Sequence, residues 1–156
     1  MKFLTDAMLG RLTRLLRIFG YDTVYAEDIE HSAPDSKLLE YAMKEDRIIL
    51  TKDYPFHKRA GERSIYLVGE EVYDYFQQLK DEFGLNYKFN MTRARCSVCN
   101  SPLNPIDKKL IKKQVQTETY KHYKNFFQCN NPNCKKIYWK GSHIEDILKN
   151  VNEKIN

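Results

Sequence analysis

The residues with the clearest chemistry are the four cysteines of the chain, which come as two close pairs. Two residues separate Cys96 from Cys99, and four separate Cys129 from Cys134. Each pair can bring two thiolates to one point from a short loop, and both spacings are typical of zinc ligands. Asparagine and proline residues in and beside the pairs favour the turns that such loops need. The spacing therefore predicts a structural zinc site with four sulfur ligands.

The same cysteines could instead form two disulfides or remain four unrelated thiols. The first segment, 1–19, contains Asp6 and three arginines and has no long apolar run, so no signal peptide is expected. Disulfides are rare in reducing compartments, and this favours zinc together with a cytoplasmic location. A closed four-ligand zinc site has no open position for chemistry, so the cysteines alone predict no activity.

Three aspartates are the second set of candidates, because each is expected at the same edge of one sheet. Asp6 directly follows a predicted strand at 2–5, and Asp53 follows another at 47–51. Asp35 is expected where a helix begins after a strand. Ligands bind parallel sheets beyond the carboxyl ends of the strands, and crowded carboxylates need bridging cations such as Mg²⁺ or Mn²⁺. Two such ions suit phosphodiester hydrolysis, because they activate water and stabilise both the attacking and the leaving oxygen.

Each of these aspartates could also have an ordinary structural role. Asp6 and Asp35 could cap helices, because Asp is favoured in N-terminal turns. Asp53 could be a turn residue before Pro55. The corresponding positions of Asp6 and Asp53, each just past the end of a strand, nevertheless favour a shared functional site.

The elements that would position these residues alternate between strand and helix through the first half of the chain. Apolar runs at 47–51 and 64–68 are typical of strands that are buried on both faces of a parallel sheet. Helices with one apolar face are expected over 7–19, from residue 34, and over 70–83. Such alternation implies right-handed crossovers and a parallel sheet covered by helices. The predicted fold class is therefore α/β.

The first predicted helix has a basic side. Arg11, Arg14 and Arg17 fall on the arc opposite its apolar residues. Such an arc is usually a solvated face, but this one begins close to the first aspartate and could contact phosphates there. The same periodicity places Met8 on the buried face of this helix and Met43 on that of the next.

The two halves of the chain differ in charge. Residues 1–83 carry 12 Lys and Arg against 16 Asp and Glu, a net −4, and residues 84–156 carry 14 against 5, a net +9. A basic half that includes a zinc site suggests an anionic partner, with nucleic acid as the first candidate. The basic residues could also simply solubilise a small domain. No segment is apolar over the roughly 18 residues that a membrane span needs, so no membrane association is expected.

Aromatic and basic residues interleave over 120–127, where Lys121, Tyr123 and Lys124 are candidates for RNA contact. This mixture suits stacking on unpaired bases together with phosphate contact. The rings could instead form the core of a small zinc module. Arg93 and Arg95, which precede the first cysteine pair, are further candidates for RNA contact.

Three motifs occur in order along the chain. They are Phe3-Leu4-x-Asp6-x-Met8-Leu9-Gly10-Arg11-Leu12-x-Arg14-x-Leu16-Arg17-x-x-Gly20-Tyr21-Asp22, then Ile49-Leu50-Thr51-x-Asp53, then Cys129 to Cys134 with Tyr138-Trp139-x-Gly141-Ser142-His143. Together they resemble the Mut-seven C-terminal ribonuclease domain family, and the resemblance covers nearly the whole chain. It implies a Rossmann-like sheet similar to that of PIN-domain nucleases at 1–85, a zinc ribbon with a C-terminal helix at 91–156, and metal-dependent cleavage of RNA.

The resemblance also implies roles for particular residues. The acidic positions of the family fall on Asp6, Asp35 and Asp53, which would be the catalytic ligands of Mg²⁺ or Mn²⁺. PIN nucleases often add a fourth acid after the fourth strand. At that point this chain has Glu70 and Glu71 and no aspartate directly after the strand, so the completion of the acidic site is an open question.

The resulting hypothesis is an endonuclease, a hydrolase of single-stranded RNA, in which Arg11 and Arg14 help to place the phosphate and the ribbon binds RNA. The main alternative is a non-catalytic RNA-binding module that acts on ribosomes or with a partner nuclease. A weaker alternative is a phosphate-handling enzyme with Asp6 or Asp53 as the covalent acceptor.

Overall fold

The structure is a computed structural model that describes residues 1–155, and its first half is built on a four-stranded parallel sheet. The strands are β1 (Lys2–Thr5), β2 (Asp22–Tyr25), β3 (Ile48–Thr51) and β4 (Ser64–Tyr66). Their order across the sheet is β2-β1-β3-β4. The predicted α/β class with a parallel sheet is therefore confirmed.

Five helices lie between these strands or directly follow the last of them in the chain. They are α1 (Gly10–Ile18), α2 (Ala26–Ile29), α3 (Asp35–Glu45), α4 (Tyr54–Ala60) and α5 (Val72–Phe83). A 3₁₀ turn over Ala7–Leu9 separates β1 from α1, so the helix predicted over 7–19 is divided in two. The turn forms there because the Asp6 side chain accepts a hydrogen bond from the Ala7 amide and begins the turn directly after the strand.

Helices cover both faces of the sheet, because neighbouring strand residues point into two different cores. Phe3 and Leu50 belong to the core beneath α1 and α5, whereas Leu4 and Ile49 belong to the core beneath α2, α3 and α4. All four side chains are fully buried. Burial on both faces explains the continuous apolar runs in the sequence. Each of these side chains contributes about 1.5–3 kcal/mol through its removal from water.

The basic half forms a second, antiparallel sheet. It consists of β5 (Leu103–Ile106), β6 (Phe126–Cys129) and β7 (Ile137–Tyr138), in the order β5-β6-β7. A 3₁₀ turn over Lys108–Leu110 and helix α6 (Thr117–His122) lie between β5 and β6. Helix α6 is absent from the sequence prediction, because none of its residues is buried and it therefore lacks an apolar period.

The last helix, α7 (Ser142–Lys154), packs against the first sheet although it follows the ribbon in sequence. Ile147 and Val151 are buried in the core beneath α1 and α5, and Lys154 forms a 3.1 Å ion pair with Glu71. The predicted division groups this helix with the ribbon at 91–156, whereas its packing joins the ribbon to the sheet. No helix within residues 1–155 is both long and apolar enough to cross a membrane.

Two methionines that the periodicity places in the core are exposed. Met8 is 74% exposed and Met43 is 61% exposed. Met8 lies in the 3₁₀ turn, where successive residues do not follow the 100° step of an α-helix. Met43 directly follows Ala42, the last buried residue of α3, and one helical step turns it away from the core.

The first cysteine loop docks on the edge strand β2 through one buried arginine. Arg17 donates from Nε to the Thr23 carbonyl at 2.8 Å, and from Nη1 to the carbonyls of Ser97 and Val98 at 3.0 and 3.2 Å. Its Nη2 atom lies 3.4 Å from a carboxylate oxygen of Asp28. The prediction that Arg17 lies on the solvated arc of α1 is wrong, because these long-range partners satisfy its guanidinium and leave it 3% exposed.

Asp22 is the second centre of this junction. Its Oδ1 atom accepts hydrogen bonds from Arg47 and from Asn100, both at 2.7 Å. Asn100 in turn accepts a bond from the Thr23 amide at 3.1 Å, which supplies a partner to the edge strand. Burial alone favours the neutral form of Asp22, but the bonds from Arg47 and Asn100 and the charge of Arg95 hold its pKa below the usual value.

We expect Asp22→Asn to lower the free energy of unfolding by about 2 kcal/mol near neutral pH, because a hydrogen-bonded partner of buried Arg47 loses its charge. The folded-state pKa of Asp22 is depressed, so this stabilisation is fully present above the unfolded-state pKa of about 4. It should be lost as the pH falls through the folded-state pKa. Denaturant titrations between pH 3 and pH 7 measure the effect.

The control is Asp146→Asn, which removes one charge from an exposed side chain of α7. We expect its unfolding free energy to match that of the wild type throughout the same pH range. Equal stability of the wild type and Asp22→Asn at neutral pH would contradict the role given to this junction.

Candidate active site and metal centre

Asp6 and Asp53 meet around Thr51 at the carboxyl ends of β1 and β3. The Thr51 hydroxyl donates to Asp6 Oδ2 at 2.8 Å and accepts from the Asp53 backbone N–H at 2.9 Å. Thr51 is fully buried, whereas the two aspartates are half-buried. The Asp6 amide also donates to the Leu50 carbonyl at 3.0 Å, which continues the pairing of β1 and β3 beyond the strand. Strand register therefore holds the two aspartates at one edge.

Both aspartates also begin the element that follows them, in the capping role that Asp commonly takes at N-terminal turns. Asp6 Oδ1 accepts from the Ala7 amide at 2.7 Å, and Asp53 Oδ1 accepts from the Phe56 amide at 3.1 Å. An ionised carboxylate has about four lone-pair sites on its two oxygens. Capping therefore leaves each partly exposed carboxylate with capacity for a cation.

Asp35 occupies a different position from the other two aspartates. It is the first residue of α3, and its Oδ2 atom forms an ion pair with Nη2 of Arg59 on α4. Across residues 1–155, the four cysteines are the only group of three or more ligating side chains whose donor atoms converge closely enough for one metal ion. The structure thus joins Asp6 and Asp53 through Thr51, and it holds Asp35 against an arginine.

The two glutamates after β4 differ in the contacts that their side chains make. Glu71 caps α5 in a reciprocal arrangement with Asp74 and forms an ion pair with Lys154. Hydrogen bonds from the amides of Glu71 and Glu70 lower the pKa of Asp74. Lys52, which directly follows Thr51, reaches the same turn and donates to the Gly69 carbonyl at 3.0 Å. Glu71 is therefore engaged in holding α5, whereas Glu70 is exposed at this edge.

The four cysteine sulfurs converge as predicted. All four Sγ atoms lie within 4.8 Å of one another, with 3.8 Å between Cys96 and Cys134 and 3.4 Å between Cys99 and Cys129. A tetrahedron with metal–sulfur bonds of about 2.3 Å has edges of about 3.8 Å, so this spacing fits one zinc ion. The separations are far longer than the roughly 2.05 Å of a disulfide bond. A zinc ion held by all four sulfurs would have no open position, as in structural zinc sites.

A tyrosine supports this cluster from outside the four ligands. The Tyr138 hydroxyl lies 3.0 Å from Cys96 Sγ and accepts from the Ser97 amide at 3.0 Å. Burial raises the pKa of Tyr138, so its hydroxyl stays protonated and can donate to the Cys96 sulfur. Hydrogen bonds of this kind orient ligands and tune the metal. This contact links β7 to the first cysteine loop.

The residues predicted for RNA contact are spread over several surfaces. The exposed ones are Arg11, Arg14, Arg93, Lys121 and Lys124. Tyr123 is half-buried, with its ring centroid 6.5 Å from that of Trp139. The Arg95 guanidinium donates to the Asn100 carbonyl at 2.8 Å and lies 3.9 Å from Asp22, so it takes part in the junction with β2.

A groove that the sequence prediction did not include lies between α1, β7 and the start of α7. Its volume is about 460 Å³, and it is lined in part by Arg11, Arg14, Lys136, Trp139 and His143. Three of these residues belong to segments that follow the second cysteine pair. The motif at 138–143 is the available signal, because it contains two aromatic residues, a glycine and a histidine within six positions.

Comparison with known proteins gives one match. The family model described as Mut7-C RNAse domain matches residues 1–151, a range that includes the edge around Thr51 and all four cysteines. No curated protein and no solved structure matches the chain significantly.

We expect the purified protein to carry one zinc ion per chain and the double variant Cys99→Ser/Cys129→Ser to carry almost none. Structural zinc in finger peptides contributes roughly 10–16 kcal/mol of apparent binding free energy, so the ribbon should lose its order with the metal. Elemental analysis measures the metal, and hydrogen exchange of residues 94–138 measures the order.

Val98→Ala is the matched control, since this exposed side chain lies in the same loop and offers no ligand. Its zinc content should equal that of the wild type. Retention of one zinc ion by the double cysteine variant would contradict the assigned site.

Proposed function

This chain belongs to the Mut7-C RNAse domain family, as its motifs predicted, and on that premise we propose that it is a metal-dependent endoribonuclease that hydrolyses single-stranded RNA. The family supports a nuclease-like function that involves RNA. The catalytic part of the proposal depends on one observation, the contact of Thr51 with both Asp6 and Asp53. That contact lies at the carboxyl edge of the parallel strands, where such sheets bind ligands.

The residues at this edge suit a hard divalent cation. Mg²⁺ in proteins is commonly held by one or two carboxylates, with water and substrate phosphate as the remaining ligands. Asp6 and Asp53 can supply those carboxylates, and Asp35 can join them if Arg59 exchanges its partner. A bound Mg²⁺ or Mn²⁺ would polarise the phosphate and lower the pKa of a water molecule.

The chain's own groups have separate tasks in this proposal. Thr51 fixes the orientation of the Asp6 carboxylate and the position of the Asp53 backbone, since its hydroxyl bonds to both. Arg11 and Arg14 are exposed on α1, the helix that follows the Asp6 turn, and can bind the phosphates of a strand. Holding the phosphodiester against the carboxylates raises the rate by orientation, which alone can supply about 7–11 kcal/mol in favourable intramolecular reactions.

In this proposal the ribbon binds RNA and is itself held in shape by zinc. Its cysteines would hold structural zinc, and its basic surface would attract the RNA backbone. Residues 84–156 carry a net charge of +9, which favours a polyanion over a neutral ligand. A cytoplasmic location is part of the same proposal, because cysteines that are not joined by disulfides are typical of a reducing compartment.

A second candidate function is a non-catalytic RNA-binding module that acts on ribosomes or with a partner nuclease. One observation favours it: no three carboxylates converge within the described residues, and Asp35 is paired with Arg59. Binding in that case would depend on the basic surface and on salt concentration, and it would not depend on the aspartates.

We expect Asp6→Asn/Asp53→Asn to lower the Mn²⁺-dependent cleavage of a mixed-sequence single-stranded RNA by about 100-fold or more. The reason is that loss of the carboxylates removes several kcal/mol of transition-state stabilisation. Gel-based cleavage rates with Mn²⁺ and without added metal give the measurement, and RNA binding is followed in parallel.

The control is Asp81→Asn/Asp146→Asn, which removes two charges from exposed helical positions. It should cleave at the wild-type rate. Equal RNA binding by all three proteins with no cleavage by any would support the binding module and contradict the nuclease.

Thr51→Val tests the contact on which the site depends. We expect cleavage to fall about tenfold and the Mn²⁺ concentration for half-maximal rate to rise, because Asp6 and the Asp53 amide both lose a partner worth about 1–2 kcal/mol. Thr51→Ser should restore both quantities, since it keeps the hydroxyl. A merely structural role would lower stability without moving the Mn²⁺ dependence, so thermal unfolding is measured alongside.

A further inference from the structure

The groove between α1, β7 and the start of α7 combines cationic and apolar surface. Its cationic lining comes from Arg11, Arg14 and Lys136, with His143 beside them. The apolar lining consists of Leu15, Ile18, Ile137, Ile144 and Ile147, together with Tyr138 and Trp139. None of the Asp and Glu residues within 1–155 lines it. The groove therefore suits an anion that also has a flat or apolar part.

Three basic side chains of the groove, Arg11, Arg14 and Lys136, form no ion pair within residues 1–155, in contrast to most arginines of the chain. Five of the eight arginines form ion pairs, namely Arg17, Arg47, Arg59, Arg63 and Arg95. Among residues 1–155, no ion pair involves Arg11, Arg14 or Lys136. Arg11 lies over the Tyr73 ring at 5.8 Å and Lys136 over the Tyr138 ring at 5.4 Å. Those contacts position the cations and leave N–H donors for an external anion.

Trp139 is fixed against the beginning of α7, where its indole contributes to the groove. A Cβ atom at Gly141 would lie 2.7 Å from Trp139 Nε1, so only glycine lets the indole lie this close to the backbone. The ring is also packed 6.0 Å from Phe126, centroid to centroid. A rigid aromatic side chain is an effective platform for a nucleic-acid base, because no ordering is needed on binding.

We propose that this groove binds an unpaired segment of RNA, with a base against Trp139 and Ile137 and the adjoining phosphates at Arg11, Arg14 and Lys136. This groove proposal rests on the proposed function in one respect, which is that RNA is the ligand. A base reaches such a groove only when it is unstacked from its neighbours, so the groove selects single strands over duplexes. Its volume of about 460 Å³ suits one or two nucleotides.

The position of Arg11 connects this groove with the edge of the sheet. Arg11 also lines a second depression, of about 420 Å³, in which Lys52 and Glu70 take part. Lys52 lies between Thr51 and Asp53 in sequence. A strand held in the groove would therefore continue past Arg11 toward the carboxylates, and the groove would orient RNA for cleavage.

Trp139 is the single tryptophan of the chain, so its fluorescence reports directly on the groove. We expect an eight-nucleotide oligouridylate, added without divalent metal, to quench this fluorescence in the wild-type protein. Arg11→Ala/Arg14→Ala should raise the Kd about tenfold and reduce the slope of log K against log salt by about 1.4, near 0.7 for each lost phosphate contact. Fluorescence anisotropy of labelled RNA gives an independent Kd.

The matched control is Lys109→Ala/Lys113→Ala, which removes two positive charges from exposed positions outside the groove lining. Its Kd should stay within about twofold of the wild type, because these two lysines contribute only weak, non-specific attraction to RNA. Duplex RNA and inorganic phosphate should compete poorly. Polyglutamate that quenches Trp139 as strongly as oligouridylate would overturn the RNA assignment in favour of an acidic peptide.

These tests can contradict the groove proposal and the nuclease proposal independently of each other. RNA that binds without quenching Trp139, or equally to both double variants, overturns the groove proposal even if cleavage depends on Asp6 and Asp53. Quenching that depends on Arg11 and Arg14 without any Mn²⁺-dependent cleavage supports the groove and refutes the nuclease. Failure of the wild type to bind oligouridylate overturns the groove proposal outright.

Discussion

The buried guanidinium of Arg17 is the interaction on which the arrangement of the two sheets depends. It joins α1, β2 and the first cysteine loop, since its donors reach the carbonyls of Thr23, Ser97 and Val98. A buried charge of this kind costs several kcal/mol unless it is hydrogen-bonded and paired, which restricts the loop to one position. The groove has α1 as one wall and β7 as another, so its shape follows from this docking.

A second constraint, strand register, operates at the edge of the parallel sheet. β1 pairs with β3 so that Thr5 lies opposite Leu50, and the chain leaves both strands at the same level. Asp6 and Thr51 are then adjacent although they are 45 positions apart in the sequence. One hydroxyl serves both strand ends because a threonine can donate and accept at once. The edge therefore combines ordinary helix capping with two partly exposed carboxylates.

Much of this could be predicted from sequence, because it depends on local patterns. Buried parallel strands give continuous apolar runs, and cysteine spacing directly indicates the two loops whose four sulfurs converge. The missed features depend on contacts between distant segments. Periodicity treats Arg17 as a surface residue, because it contains no information on carbonyls some 80 residues away. The pairing of Asp35 with Arg59 and the groove between α1 and β7 likewise arise only when separate elements pack together.

The packing of α7 has a consequence for the order in which the molecule can be completed. Ile147 and Val151 fill the core beneath α1 and α5, yet the ribosome adds them only after the whole ribbon. Domains fold from the N-terminus during synthesis, so the core beneath α1 and α5 first forms without the two apolar side chains that α7 supplies. The part of the groove wall that α7 forms is also missing from that nascent chain. A chain that stopped after the second cysteine pair would thus contain Asp6 and Asp53 but would lack Trp139, His143 and the rest of α7's side of the groove.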